Sequence, residues 1–226
     1  MPISPQRAVL FDLDGTLMDT ADDFVTVVNA MRLDYQQPPL DEQRIRATVS
    51  DGARALIKLA FTEDESGDEF QRLRQELLDR YLEQLKPGIT TSTYFSGIEI
   101  LLSLLQAHQI QWGIVTNKPW LYTDALLKAL NISAPVVICP DHVSQTKPHP
   151  EPLFLACEKL RCIPEESIYV GDHIRDIEAG RAANMATVTA KWGYIKKEEN
   201  VNLWEADAIC ESPQDLWPTL QALLTL

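Results

Sequence analysis

The stretch VLFDLDGTLMDT, residues 9–20, joins an apolar run to a pair of acids. Its first residues are continuously apolar, which is typical of a strand buried on both faces of a sheet. Asp12 and Asp14 follow at once. Two carboxylates this close repel each other unless a cation lies between them or one of them holds a proton. Gly15 permits a sharp turn after the strand. The stretch therefore predicts either a tight turn or a site.

Two later runs have the same pattern. WGIVT ends at Thr116, which Asn117 follows, and SIYVG is followed by Asp172. Short apolar runs that alternate with helical patterns indicate βαβ units and a parallel sheet. Further strands are predicted at residues 135–139, 185–190 and 206–210. Helices are predicted at residues 97–108, 121–130, 152–160, 174–183 and 214–224.

Residues 20–85, called here the helical insert, show no strand pattern. Four amphipathic stretches favour helices, and Thr20 is predicted to cap the first of them with its side chain. Lys86-Pro87-Gly88 then interrupts the helical pattern. The fold class expected is α/β, a doubly wound parallel sheet of Rossmann-like type with an inserted all-helical cap domain. We assign residues 1–17 and 90–226 to the core and residues 18–89 to the cap domain.

Composition excludes several classes of protein. The 226 residues carry a net charge of −13, which disfavours binding to nucleic acid or to an anionic membrane. No apolar stretch has the length of a membrane span or of a secretion signal. The four cysteines form no CxxC pair, so we expect free thiols in a reducing compartment. These features predict a cytoplasmic protein.

Polar residues follow three of the predicted strands, and the carboxyl ends of parallel strands share one edge of a sheet. Asp12, Thr116 and Asp172 should therefore meet there, together with Asp14 and Asn117. Lys147 joins them if its loop follows the strand at residues 135–139. Clustered carboxylates favour Mg²⁺, which binds through carboxylates, waters and substrate phosphate oxygens. A carboxylate nucleophile, an acid/base, a metal and phosphate-binding groups are the parts of a phosphoryl-transfer site.

The motifs DLDGT, Thr116, Lys147-Pro148 and GDHIRD resemble, in this order, the four motifs of the haloacid dehalogenase superfamily. The resemblance implies that Asp12 is the nucleophile and Asp14 the general acid/base, with Thr116 and Lys147 also in the catalytic set. It implies that Mg²⁺ is held by Asp12, the backbone carbonyl of Asp14, and Asp172. The residues expected to bind phosphate are Asp12, Thr116, Asn117 and Lys147, and those expected to surround the metal ligands are Asp176, Gly15 and Thr16.

Four further stretches are similar to the phosphoglycolate phosphatase branch, and within it to the N-acetylmuramic acid 6-phosphate phosphatases. They are VSDGARAL, VICPDHV, KPHPEPL and WGYIKKEENVNLWEAD. The resemblance implies a small phosphorylated metabolite as substrate, first N-acetylmuramic acid 6-phosphate and next 2-phosphoglycolate. His149 and His173 depart from the commoner pattern of the branch, and neither replaces a catalytic group.

Some alternatives stay open at this point. Asp51, Gly52 and Arg54 lie in a polar break of the helical insert and are candidates for contact with substrate. The alternative is an ordinary helix cap by Ser50 or Asp51. A phosphosugar mutase of the same superfamily would use the same motifs, and a non-catalytic binding module could keep the fold. The chain could be a monomer or a homodimer.

Overall fold

The computed structural model describes residues 7–61, 65 and 67–224. Parts of the predicted core (1–6, 225–226) and of the helical insert (62–64, 66) lie outside the described residues. In chain order the strands are β1 (Ala8–Phe11), β2 (Met18–Asp19), β3 (Thr93–Tyr94), β4 (Gln111–Val115), β5 (Val137–Ile138), β6 (Ile168–Gly171), β7 (Ala186–Ala190) and β8 (Ala208–Cys210). The α-helices are α1 (Ala21–Asp34), α2 (Glu42–Arg46), α3 (Ala53–Ala60), α4 (Asp68–Gln84), α5 (Ile98–Ala107), α6 (Trp120–Ala129), α7 (Glu151–Leu160), α8 (Ile174–Ala182) and α9 (Leu216–Leu223).

Six parallel strands form the main sheet in the order β5-β4-β1-β6-β7-β8. Successive side chains of β1 point to opposite faces, because the side-chain period of a strand is two. Val9 and Phe11 join a core that includes residues of α5 and α9, whereas Ala8 and Leu10 join a core that includes residues of α7 and α8. Helices thus cover both faces of the sheet. The predicted doubly wound α/β fold and its six strand positions are confirmed.

The helical insert contains α1 to α4 and lies between β2 and β3 in the chain. These two short strands pair antiparallel, Met18 with Tyr94 and Asp19 with Thr93. Two residues are too few to show a periodic pattern, so the sequence did not predict this pair. The buried stripe of α1 belongs to the same core as Val9 and Phe11, so the apolar core is continuous from the sheet layer into the insert. The boundaries of the two domains stay a prediction.

The prediction that the Thr20 side chain caps α1 is wrong. Thr20 occupies the cap position, but its hydroxyl donates a 2.6 Å hydrogen bond to Asp14 Oδ1. The backbone N–H groups of Thr20 and Ala21 donate to Tyr194 Oη at 2.6 and 2.9 Å. A side chain distant in sequence therefore satisfies two backbone donors at the start of the helix.

Within the described ranges, every helix is too short or too polar to cross a bilayer. Cys139, Cys157, Cys162 and Cys210 are all buried free thiols, as expected from their spacing.

Candidate active site

The central strands bring their carboxyl ends to one edge of the sheet. Asp12 follows β1, Thr116 follows β4 and Asp172 follows β6, and β1 pairs with both of the other strands. Beside this edge, between the sheet and the helical insert, lies a cavity of about 330 Å³. Its lining includes Asp12, Asp14, Thr116, Asn117 and Lys147. The structure thus brings together the residues that the sequence placed at this edge.

Three carboxylates gather at the base of the site. Oxygen atoms of Asp12, Asp172 and Asp176 lie within 4.8 Å of one another. Lys147 Nζ is 3.0 Å from Asp12 Oδ1 and 2.7 Å from Asp176 Oδ1. One ammonium group therefore faces three carboxylates, which leaves the cluster with an excess of negative charge when all three acids are ionised.

The hydrogen bonds of Lys147 leave one of these oxygens without a partner. Its ammonium donates to Asp176 Oδ1 at 2.7 Å, to Tyr169 Oη at 2.7 Å and to the Val115 carbonyl at 3.0 Å. An ammonium has three protons, and these three acceptors use them. Asp12 Oδ1 is close enough for an ion pair, yet it is buried and accepts no hydrogen bond from any described residue. An acceptor in this state is costly unless a ligand or ion completes it.

The charge states of the cluster reflect burial and mutual repulsion. Burial raises the pKa of Asp12 to about 6, with Lys147 opposing the rise and Asp176 adding to it. Burial and the neighbouring Asp12 raise the pKa of Asp172 to about 8. For Lys147, burial favours the neutral amine, but the Asp12 and Asp176 carboxylates outweigh it and raise the pKa. The acids therefore resist ionisation without a further cation.

These observations test whether the residues fit Mg²⁺. The donor set is all oxygen, the cluster has uncompensated negative charge, and Asp12 Oδ1 lacks a hydrogen bond. Hard divalent cations prefer such donors. The residues present therefore fit a magnesium ion.

Gly15 allows the chain to turn directly against Asp172. Its φ is +78°, in the left-handed region, and a Cβ at this position would lie 2.2 Å from Asp172 Oδ2. No side chain fits there. The next residue, Thr16, donates its hydroxyl to Asp172 Oδ1 at 3.2 Å. Of the three residues expected to surround the metal ligands, Gly15 and Thr16 thus lie against Asp172, and Asp176 belongs to the carboxylate cluster itself.

The Asp14 side chain lies outside the three-carboxylate cluster. Its Oδ1 accepts a 2.8 Å hydrogen bond from Lys118 Nζ, in addition to the bond from Thr20. Lys118 Nζ also donates to Tyr81 Oη at 2.8 Å and lies 4.6 Å from the centre of the Tyr81 ring. The sequence analysis missed Lys118, although it directly follows Thr116 and Asn117.

The helical insert is tied to the site by the loop before α3. Ser50 Oγ donates to Asp172 Oδ2 at 2.9 Å, and Arg175 donates to the Ser50 carbonyl at 2.6 Å. Asp51 lies 3.2 Å from His173 Nε2 and 2.7 Å from Lys196 Nζ. These contacts use residues on both sides of the cavity, so they hold the insert against the sheet edge.

The three predicted insert residues have different surroundings. Asp51, Gly52 and Arg54 all line the cavity. Asp51 is held by the core contacts just described, and Arg54 pairs with Glu65 at 2.5 Å. Gly52 occupies the cap position of α3 without a side-chain bond, so neither Ser50 nor Asp51 caps this helix.

The cavity has an excess of basic side chains in an acidic protein. Its lining includes the basic residues Arg54, Arg74, Lys118, Lys147 and Arg175 and the acidic residues Asp12, Asp14 and Asp51. The whole chain carries a net charge of −13. A local excess of cations attracts an anion against the overall field of the protein.

Comparison with known proteins agrees with this geometry. A family model described as haloacid dehalogenase-like hydrolase matches residues 9–190. The chain belongs to this family. The chain is 43% identical over 220 residues to an N-acetylmuramic acid 6-phosphate phosphatase of Pseudomonas aeruginosa, with 96% of both chains covered. It is 39% identical to a phosphoglycolate phosphatase of Xylella fastidiosa, with 94% of both chains covered.

The fold of this haloacid dehalogenase-like hydrolase also matches solved structures. One, described as "a predicted phosphoglycolate phosphatase", comes from Haemophilus somnus 129PT and superposes with a TM-score of 0.80. The match covers 96% of this chain and 98% of the other at 24% sequence identity, which supports the fold alone.

Proposed function

We propose that this protein hydrolyses a small phosphomonoester through a covalent aspartyl-phosphate, with Mg²⁺ as its cofactor. The observation that carries the proposal is the position of Asp12 at the cavity, where Lys147 Nζ lies 3.0 Å from its Oδ1 and carboxylate oxygens of Asp172 and Asp176 lie within 4.8 Å. The Asp12 side chain is 13% exposed and lines the cavity, so a carboxylate oxygen can reach the phosphorus atom of a bound substrate.

In the first step, an oxygen of Asp12 attacks the phosphorus atom. A new bond forms between that oxygen and phosphorus, and the bond from phosphorus to the ester oxygen breaks. Asp14 gives its proton to the departing ester oxygen, so that the alcohol leaves neutral. Thr116, Asn117 and Lys147 bind the phosphoryl oxygens.

In the second step, a water molecule attacks the same phosphorus atom. Asp14, now ionised, takes a proton from this water as the new bond forms, and the bond from phosphorus to Asp12 breaks. Inorganic phosphate leaves, and Asp14 again holds its proton. Lys118 orients the Asp14 side chain in both steps through its 2.8 Å contact.

Asp12, Asp172 and the Asp14 carbonyl would hold the magnesium ion, with Asp176 beside them. The ion supplies charge neutralisation, so that an anionic substrate can approach anionic Asp12. Thr16, Ser50 and the Tyr194 amide each hydrogen-bond Asp172 and keep its carboxylate oriented.

The substrate we propose first is N-acetylmuramic acid 6-phosphate, and 2-phosphoglycolate comes next. Relatives that match nearly the whole chain are named for these two compounds. A cavity of about 330 Å³ that is partly covered by the helical insert suits a small metabolite. We propose a cytoplasmic location, in keeping with the four buried free thiols. A monomer or a homodimer stays a prediction.

The test is phosphate release by the purified protein with Mg²⁺. N-acetylmuramic acid 6-phosphate, 2-phosphoglycolate and several hexose phosphates are compared, and Asp12→Asn serves as the blank. We expect rapid phosphate release from N-acetylmuramic acid 6-phosphate or from 2-phosphoglycolate, the two compounds that carry a carboxylate. Formation of a sugar phosphate isomer without release would favour the mutase. No reaction with any of these compounds, nor with p-nitrophenyl phosphate, would overturn the proposed activity.

A further inference from the structure

Arg74 is a cavity-lining cation without a hydrogen-bond or ion-pair partner among the described residues. Its Nε is buried, and no described residue forms a hydrogen bond with it. Its guanidinium likewise forms no ion pair within the described part of the chain, although it lines the cavity. A guanidinium presents five donors and keeps its charge at any physiological pH. One that is directed into a cavity without an acceptor is suited to an anionic ligand.

Each of the other basic lining residues named above has a partner within the described part of the chain, and Lys147 is the one assigned to the phosphoryl group. Lys147 and Lys118 pair with acids of the sheet edge, and Arg54 pairs with Glu65. Arg175 donates to the Ser50 carbonyl. Arg74 is therefore the lining cation, among the described residues, that is free to bind a second anionic group of a substrate.

The position of Arg74 on α4 sets its distance from the reacting end. Arg74, Leu78 and Tyr81 are spaced by four and three residues, share one helix face, and all line the cavity. Tyr81 contacts Lys118, which contacts Asp14. Seven residues of an α-helix span about 10 Å, so Arg74 lies two helical turns from Tyr81, which contacts Lys118 beside the proposed reaction site.

This spacing distinguishes two kinds of phosphorylated acid. In a two-carbon phosphoacid, the carboxylate is next to the phosphate, so both groups would lie at the sheet edge, away from Arg74. In a phosphorylated sugar acid, a pyranose ring lies between the phosphate and the carboxylate. The longer molecule can reach from Asp12 to a cation two helical turns away.

We infer that Arg74 binds the carboxylate of a phosphorylated sugar acid and selects this class of substrate. The inference rests on the proposed phosphatase function and deepens it. Arg and carboxylate form paired, charge-assisted hydrogen bonds of fixed geometry. A substrate without the carboxylate would leave the guanidinium unpaired, so it would gain nothing from this contact.

The experiment compares two substrates that differ by one substituent, the lactyl ether that carries the carboxylate. N-acetylmuramic acid 6-phosphate carries a lactyl carboxylate, and N-acetylglucosamine 6-phosphate is the same sugar without it. Phosphate release gives kcat and KM for wild type, Arg74→Gln and Arg74→Lys. Arg72→Gln is the matched control, because Arg72 lies on the same helix, is more than half exposed and pairs with Tyr35 and Glu69.

We expect Arg74→Gln to lower kcat/KM for the acidic sugar by about 10- to 100-fold, mainly through KM, since a charged hydrogen-bonded contact is lost. Turnover of N-acetylglucosamine 6-phosphate should stay within about twofold of wild type, because this substrate makes no such contact. Arg74→Lys should recover part of the preference, since a lysine keeps the charge but loses the paired geometry.

If Arg74→Gln lowered kcat/KM equally for N-acetylmuramic acid 6-phosphate and N-acetylglucosamine 6-phosphate, the assignment would be overturned. An unchanged preference for N-acetylmuramic acid 6-phosphate would also overturn it. A wild type that prefers 2-phosphoglycolate to both sugars would also overturn it, while the phosphatase proposal would stand. Failure of the wild type to release phosphate from any of these compounds, or from p-nitrophenyl phosphate, would instead contradict the proposed function itself.

Discussion

Lys118 Nζ lies 2.8 Å from Asp14 Oδ1, and the two side chains are only 7% and 15% exposed. The ammonium is also held by Tyr81 Oη and faces the Phe24 and Tyr81 rings, which stack on each other at 4.0 Å. A buried ion pair of this kind fixes the direction of both side chains. Asp14, the carboxylate proposed to move the proton, is therefore oriented by Lys118 of the sheet edge. Lys118 is in turn held by Phe24 and Tyr81 of the helical insert.

Replacement of Lys118 by Met should lower kcat by about 10- to 100-fold, because Asp14 loses the side chain that orients it for proton transfer. KM should change less than kcat. Steady-state phosphate release measures both values, and Lys128→Met, at an exposed lysine of α6, is the control. A Lys118→Met enzyme with wild-type kcat would show that the ion pair has no part in the proton transfer.

Asp12→Asn should reduce turnover by about a thousandfold or more, because the amide cannot form the phosphoenzyme. The fold should persist, since Asn keeps the size of the side chain and removes one charge from a crowded acidic cluster. Circular dichroism and thermal melting check the fold, and phosphate release checks turnover. Residual turnover near the wild-type level would assign the nucleophile to another residue.

Removal of divalent metal by EDTA should stop phosphate release, and added Mg²⁺ should restore it. Mg²⁺ should also raise the melting temperature of the wild type, because a ligand that binds only the folded state stabilises it. Asp172→Asn should abolish this thermal shift. The shift is measured without substrate, so it reports on the metal site independently of turnover. An identical shift in the variant would exclude Asp172 as a ligand.

Asp51→Ala should raise KM by about three- to tenfold with little change in kcat. Asp51 holds the insert against the core through His173 and Lys196, and its loss lowers the fraction of protein in the arrangement that encloses the cavity. Lys196→Gln should act in the same direction. Asp79→Ala, at an exposed acid of α4, serves as the control. If KM were the same in wild type, Asp51→Ala, Lys196→Gln and Asp79→Ala, the contacts of Asp51 would not govern closure of the insert over the cavity.

Asp23 should make folding stability depend on pH. Its buried carboxylate accepts hydrogen bonds from Gln84, Thr90, Thr91 and Ser92. Burial alone would raise the pKa of Asp23, but the hydrogen bonds of Ser92 and its neighbours outweigh it and lower the pKa below 3.8. A lowered pKa stabilises the fold above the unfolded-state value, and this stabilisation is lost as the pH falls through the lowered pKa.

The free energy of unfolding should therefore differ between wild type and Asp23→Asn by a constant amount above about pH 5, and the difference should shrink below about pH 4. Urea denaturation at several pH values measures it. Asp22→Asn, at the exposed neighbour, should show no such convergence. A difference that does not vary with pH would mean that Asp23 has an ordinary pKa in the folded protein.

The strand positions and the meeting of Asp12, Thr116 and Asp172 could be predicted because both follow from local rules. Short apolar runs form buried strands, and parallel strands place their carboxyl ends at one edge. The β2–β3 pair is too short to leave a pattern. The expected cap by the Thr20 side chain is absent because the Thr20 hydroxyl is directed to Asp14 Oδ1, a contact that the sequence pattern does not show.

The sequence by itself determined the α/β fold, the order of its strands along the chain and the set of polar residues at the sheet edge, since periodicity and strand polarity act over a few residues. Only the tertiary structure decided which cation pairs with which acid. Lys118 meets Asp14, while Arg74 has no partner in the described part of the chain. These outcomes depend on how the helical insert packs against the sheet edge, and such packing joins residues that no local pattern connects.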